Sequence, residues 1–298
     1  MSNNLDSMEE NMKENRVALF TMCSDDLVEV CLTMLYSFLM NNKWFYDCGT
    51  INIICDNNIC KLEPENREKF TSLYENTVFI EPDYEYYKPL IEHQEKELSV
   101  PQNFKPCSYK YEIFKDYGYS KNVFFDADMI IQSDVRELFF NNITFGVCLD
   151  ISALKYKTNI IFNKTENTDA YFNAGLMIVG KNIMKEEVYN KIFTFTKSLT
   201  PQYNFSKKLS WKGVLIEQDA INELFVNYTL IPHELYNQSH LLINNLNYKD
   251  TKIIHYCGAP KPWKEINFRF EMAAMIFYKY YFMRTNNFTL LNNDKKNN

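Results

Sequence analysis

The run Phe125-Asp126-Ala127-Asp128 ends an apolar stretch with two carboxylates one residue apart. Hard divalent cations take carboxylate oxygens, and a cation held this way can face the oxygens of a diphosphate. From spacing alone the pair is equally a polar strand end, because successive side chains on a strand point to opposite faces and reach one ion only if the chain turns there. Lys110 lies sixteen residues upstream, on the stripe of Ile113, Phe114 and Tyr117 at helical spacing. An ammonium on an apolar face needs an anion, unless its charge snorkels to the helix edge. Downstream, His255-Tyr256-Cys257-Gly258-Ala259-Pro260-Lys261-Pro262-Trp263 puts a metal-capable imidazole, a permissive glycine and a cation close together.

Two weaker signals accompany these. Tyr171-Phe172-Asn173-Ala174-Gly175 precedes an apolar strand. There Gly175 allows close backbone approach, and the Asn173 amide could bond sugar hydroxyls or simply make a turn. Glu217 and Gln218 stand in the first turn of a helix, with Glu217 on the stripe of Ala220, Ile221 and Leu224. A carboxylate there is a helix-dipole device or a site residue.

The elements that must position these groups alternate between strands and helices. Strands are expected at Arg16–Thr21, Ile51–Cys55, Thr77–Ile80, Asn122–Phe125, Phe145–Leu149, Gly175–Val179 and Lys252–His255. Helices are expected over Leu27–Met40, with Ser24-Asp25-Asp26 as cap candidates, over Ser108–Tyr117, closed by Gly118, and over Leu215–Val226. This alternation implies an α/β fold, a doubly wound domain with a mostly parallel sheet, whose ligands bind beyond the carboxyl ends of the strands. Asp83–Pro106, with Pro89, Pro101 and Pro106, reads as a long irregular excursion. A polar extension over 1–15, one domain over 16–284 and a polar tail over 285–298 complete the expected organisation.

Composition narrows the function. A formal charge of -6 argues against general nucleic-acid binding, so any phosphate site is local. The first residues have neither the basic start nor the apolar core of a signal peptide. The longest apolar stretches, such as Met272–Met283 with Lys279 inside, fall short of the ~20 residues of a membrane span. The expectation is a soluble, cytoplasmic protein whose eight scattered cysteines are reduced and whose six Asn-x-Ser/Thr sequons go unused. A homodimer is compatible with the sequence.

Taken together, these residues resemble the glycogenin-like glycosyltransferases of family 8, from Ala18-Leu19-Phe20-Thr21 to Trp263 and in the family's order. The most specific piece is His-x-x-Gly-x-x-Lys-Pro-Trp at His255, Gly258, Lys261, Pro262 and Trp263. The resemblance implies a single-domain GT-A fold and retaining transfer of a hexose from a UDP-sugar, UDP-glucose favoured, to a glycan, protein or small-molecule acceptor. It implies Mn²⁺, or Mg²⁺ in its place, on Asp126, Asp128 and His255. Lys110, Gly258 and Lys261 would meet the diphosphate or donor sugar, and Asn173 and Ala174 the sugar hydroxyls. Asp150 would lie near the sugar and Gln218 beneath the anomeric carbon, with Gln218, Asp150 and Glu217 positioning and polarising. Thr21 and Ser24 fall in the uridine-binding stretch, where this chain departs from the family: Ser24-Asp25-Asp26 replaces Thr-Asn-Asp, and Val28 stands where a tyrosine is usual. The helix start also differs, with Glu217 where the family often has Asp.

Two competing readings are a sugar nucleotidyltransferase and a catalytically weak sugar-nucleotide or glycan-binding protein of the same fold. The first needs a glycine-rich basic phosphate loop, and Thr21–Asp26 has neither Gly nor Lys. Against the second stand the intact Asp126, Asp128, His255 and Lys261. Acceptor choice would lie in Asp83–Pro106, Lys155–Ala170 and the aromatic Phe268–Tyr281 segment, and no stretch matches a self-glucosylation motif.

Overall fold

The computed structural model describes residues 16–150, 171–200, 215–225, 227–244, 246–265 and 270–287. The strands are β1 (Val17–Met22), β2 (Gly49–Ile54), β3 (Thr77–Ile80), β4 (Lys121–Phe125), β5 (Met129–Ile131), β6 (Phe145–Leu149), β7 (Phe172–Gly180), β8 (Thr229–Ile231), β9 (Gln238–Ser239) and β10 (Ile253–His255). The longer helices are α1 (Val28–Asn41), α2 (Pro64–Leu73), α3 (Tyr84–Lys96), α4 (Glu186–Ser198), α5 (Ile216–Leu224) and α6 (Glu271–Asn287).

A seven-stranded sheet runs β3-β2-β1-β4-β7-β6-β8, and a small sheet runs β5-β10-β9. The large sheet is mostly parallel; β7 alone runs antiparallel to both its neighbours, β4 and β6. Its central strands β2, β1, β4 and β7 are buried along nearly their whole length because both faces are covered. Along β1, Val17 and Leu19 join one core with Ile51, Ile53, Val123, Phe125 and α1. Ala18 and Phe20 join another with Ile54, Phe124, Met177, Tyr109 and Phe114. This is the period-two alternation of a strand, applied to a sheet sandwiched on both sides. Helix α1 is buried almost all round, as its composition requires, since it packs on β5 and on α6. Arg284 of α6 closes that contact with an ion pair to Glu29 of α1.

Several expectations need correction. Asp83–Pro106 is not an irregular excursion. It holds α3, capped by Asp83, whose side chain accepts from the backbone amides of Glu85 and Tyr86. Tyr87, Leu90, Ile91 and Gln94 are buried at the i, i+3, i+4, i+7 spacing of a helix face, a period masked by the charged residues and Pro89 around it. The Ser108–Tyr117 helix is instead a 3-10 run over Gln102–Phe114, buried at Lys105, Pro106 and continuously from Ser108 to Phe114. Gly118, at φ +84, belongs to the turn before β4 rather than to a helix end. Ser24 does not cap a helix: its hydroxyl donates to Asp26 Oδ1, and Asp25 Oδ1 accepts from Glu63 N and Asn66 Nδ2.

Helix α6 runs past Thr285, the first residue of the expected tail; the rest of that tail, 288–298, lies outside the described residues. So do residues 1–15, the Lys155–Ala170 acceptor loop, the sequons at Asn163 and Asn204, Val226, and Phe268 and Arg269. No helix among the described residues is long and apolar enough to cross a membrane. The cysteines are all free.

Candidate active site

The site forms where the two sheets join. Strand β4 ends at Phe125, Asp126 N donates to Gly175 O at 2.8 Å, and the chain turns through Ala127 and Asp128 into β5. Strand β5 pairs antiparallel with β10, so His255 faces Met129, and Tyr256 N donates to Asp128 O at 2.9 Å. The turn meets the condition under which an Asp-x-Asp pair can share an ion. His255 Nε2 lies 3.2 Å from Asp128 Oδ1 and 3.6 Å from Asp126 Oδ2. One ligand atom from each of Asp126, Asp128 and His255 falls within 4.8 Å of the others. Two carboxylates and an imidazole could together hold a divalent cation.

Two ammonium groups flank this cluster. Lys110 Nζ lies 2.8 Å from Asp126 Oδ1, 3.8 Å from Glu217 Oε1 and over the Phe124 ring. Its stem is buried, so it does not snorkel; burial opposes its charge, but Asp126 and Glu217 hold its pKa above the usual lysine value. Lys261 Nζ pairs with Asp128 Oδ2, donates to Tyr256 O and sits over the Trp263 ring. Burial would raise the Asp128 carboxyl, yet Lys261 and His255 hold it well below the carboxylate range. Glu217 goes the other way. Burial pushes it up to about 7, partly offset by Lys110 and reinforced by Asp126 and Asp219.

The amide-rich side of the site comes from β7 and α5. Gln218 Oε1 accepts from Ala174 N at 2.8 Å and from Asn173 Nδ2 at 3.4 Å, while Gln218 Nε2 donates to Asp150 Oδ2 at 3.1 Å. Asn173 Oδ1 accepts from Gly175 N at 2.9 Å and from Asn237 Nδ2 at 3.1 Å. Asn237 Oδ1 in turn lies 2.8 Å from His255 Nδ1. Gly175 sits where only a glycine fits: a Cβ would come within 2.5 Å of His255 Cε1 and 2.7 Å of both Asp126 Oδ2 and Asn173 Oδ1.

The fold thus brings Lys110, Asp126, Asp128, Asp150, Asn173, Ala174, Glu217, Gln218, His255 and Lys261 into one connected network. Gly258 lies between His255 and Lys261 in the chain, at φ +73 with open space where a Cβ would go. Thr21 and Ser24 do not join the network among the described residues. Thr21 is fully buried near the end of β1 with no partner for its hydroxyl, and Ser24 is engaged with Asp26. Asn237 was invisible in the sequence except as the head of a sequon; at 4% exposure it is a buried site residue.

The fold is the GT-A fold. The galactosyltransferase LgtC, solved in complex with donor and acceptor sugar analogs, superposes with a TM-score of 0.64 at 15% identity, covering 89% of this chain and 95% of LgtC. The glycosyltransferase GlyE of Streptococcus pneumoniae TIGR4 gives 0.62 at 14% identity, covering 95% of this chain and 64% of GlyE. The model of glycosyl transferase family 8 matches residues 18–267, and the chain belongs to that family. Among curated relatives, it is 25% identical over 187 residues to a lipopolysaccharide 1,2-glucosyltransferase of Escherichia coli, covering 56% of this chain but only 53% of the relative's length. It is 24% identical over 231 residues to general stress protein A of Bacillus subtilis (strain 168), covering 68% of this chain and 73% of that protein.

Proposed function

We propose that this chain transfers a hexose from a UDP-sugar, with UDP-glucose as the favoured donor, to a glycan, protein or small-molecule acceptor, with Mn²⁺ (or Mg²⁺) as metal and with retention of the α configuration. The observation that carries this reading is the convergence of Asp126, Asp128 and His255 between the ammonium groups of Lys110 and Lys261. The glucosyl and galactosyl transfer in the names of two similar proteins supports a hexose. When bound, the ion would supply Lewis-acid stabilisation of the charge growing on departing UDP.

The chain's own residues account for the rest. Lys110 and Lys261 add fixed positive charge on either side of the ligand cluster, which favours the transition state as negative charge develops on the leaving group. Glu217 and Asp126 share the Lys110 ammonium, and this holds it charged despite burial. Gln218 is a weak nucleophile, and its Oε1 is already engaged by Ala174 N and Asn173 Nδ2. That engagement supports a positioning role beneath the sugar, with attack by the acceptor on the face the UDP leaves. Asp150, held by Gln218 Nε2, lies at the same edge. A β-configured product would overturn this stereochemical assignment.

The test is release of UDP from UDP-glucose, UDP-galactose and UDP-N-acetylglucosamine, with and without Mn²⁺, by the wild type and Asp128→Ala. Release should depend on metal and fall about 10²-fold or more in the variant, the scale of losing one charge-stabilising group. Release indifferent to both would remove the proposal.

A further inference from the structure

The hydrogen-bond network behind the ligand cluster has a direction, and two peptide N–H groups of β7 set it. Gly175 N can only donate, so the atom of Asn173 that receives it is the oxygen. The neighbouring Asn237 atom must then be its nitrogen, donating to Asn173 Oδ1 at 3.1 Å. This leaves Asn237 Oδ1 toward the imidazole, 2.8 Å from His255 Nδ1. An oxygen there accepts, so Nδ1 carries a proton, and Nε2, turned toward Asp126 and Asp128, is the nitrogen that a cation would take. Ala174 N orients Gln218 by the same logic, and its Nε2 points at Asp150.

We propose that Asn237 is a positioning residue of this site: it holds His255 in the Nδ1–H tautomer, with Nε2 ready to bind a divalent cation, and ties that imidazole to Asn173. The inference rests on the metal-dependent reading above but makes its own claim. Asn237 does so from a buried position just before β9, the strand that pairs in parallel with β10 and so sets Asn237 beside His255. Its backbone N–H is spent on His233 O, which pins the residue independently of its side chain.

The first experiment is ¹⁵N NMR of the imidazoles in the metal-free protein, above the pH at which they titrate. With 4 histidines in the chain, His255 is assigned by its absence in His255→Ala. A proton on Nδ1 is expected, and a proton on Nε2 overturns the proposal whatever the variants do. The second is Mn²⁺ affinity by electron paramagnetic resonance in wild type, Asn237→Asp and Asn237→Leu. Asn237→Leu should weaken Mn²⁺ binding about 10–100-fold, the usual scale for an outer-shell partner, whereas Asn237→Asp keeps the acceptor toward Nδ1 and loses only the donor to Asn173, so its loss should be smaller. Unchanged affinity in Asn237→Leu, or equal losses in both variants, refutes the role of the acceptor. A wild type that binds no Mn²⁺ defeats the metal-dependent reading instead, and the tautomer measurement still decides this one.

Discussion

Replacing Gly175 with alanine tests whether the ligand cluster is as tightly built as its geometry implies. The added Cβ would stand 2.5 Å from His255 Cε1 and 2.7 Å from Asp126 Oδ2 and Asn173 Oδ1, where ordinary contact begins at 3.4 Å. The shortfall on the imidazole is therefore 3.4 − 2.5 = 0.9 Å. The backbone cannot retreat cheaply, because Gly175 O accepts from Asp126 N and Gly175 N donates to Asn173 Oδ1. The side chains must yield, and they are two of the three proposed ligands and the residue that, through Asn237, orients one of those two, His255. Overpacking of this kind costs about 1–3 kcal/mol. For a chain of this size that lowers Tm by a few degrees, at about 2–4 °C per kcal/mol. The larger effect falls on the metal, with Mn²⁺ affinity down about 10–100-fold, as when a ligand loses its orientation. Gly118→Ala is the control: Gly118 has φ +84 but no atom within 4 Å of a Cβ, so it should cost stability without touching Mn²⁺. Gly175→Ala with wild-type Mn²⁺ affinity would refute the reasoning.

Three further outcomes are expected. Lys110→Met leaves Asp126 and Glu217 facing each other without their shared cation, and kcat/KM for donor hydrolysis should fall about 10²–10³-fold, mostly in kcat, by steady-state UDP release. Glu217 has a folded pKa of about 7 against an ordinary 4.5, so between those values the native state holds a proton the unfolded state lacks. Its favourable contribution is therefore complete below 4.5 and lost as pH rises through 7, a change of roughly 3 kcal/mol at 1.36 kcal/mol per unit; urea denaturation of Glu217→Gln should show a shallower loss over that window. Asp83→Ala removes the cap of α3 and should cost about 1 kcal/mol by the same method, with UDP release unchanged.

Much of the candidate site was legible in the linear chain. Asp126-Ala127-Asp128 at a strand end, Lys110 among apolar neighbours and the His255–Trp263 run are each marked by residue type and short spacing, and the strands announce themselves through short, mostly apolar runs. Those signals are local, and they survive without the fold. Helix α3 was hidden because prolines and charges around Tyr87, Leu90, Ile91 and Gln94 outweighed a four-residue period, and only burial against the second core decided the matter. Lys110 was singled out on the premise of an α-helical stripe, yet it lies in a 3-10 run whose turns are tighter.

What the tertiary structure alone decided is convergence and direction. That both aspartates reach one point depends on the turn from β4 into β5 and on the pairing of β5 with β10, contacts made across more than a hundred residues. Asn237 entered the site only because β9 lies beside β10, and the proton on His255 is assigned only because Gly175 N, on the one reversed strand of the main sheet, can donate and not accept. Residue types determine which groups can bind a cation or a phosphate; hydrogen-bond partners distant in sequence determine where those groups point and which of their atoms is free to do so.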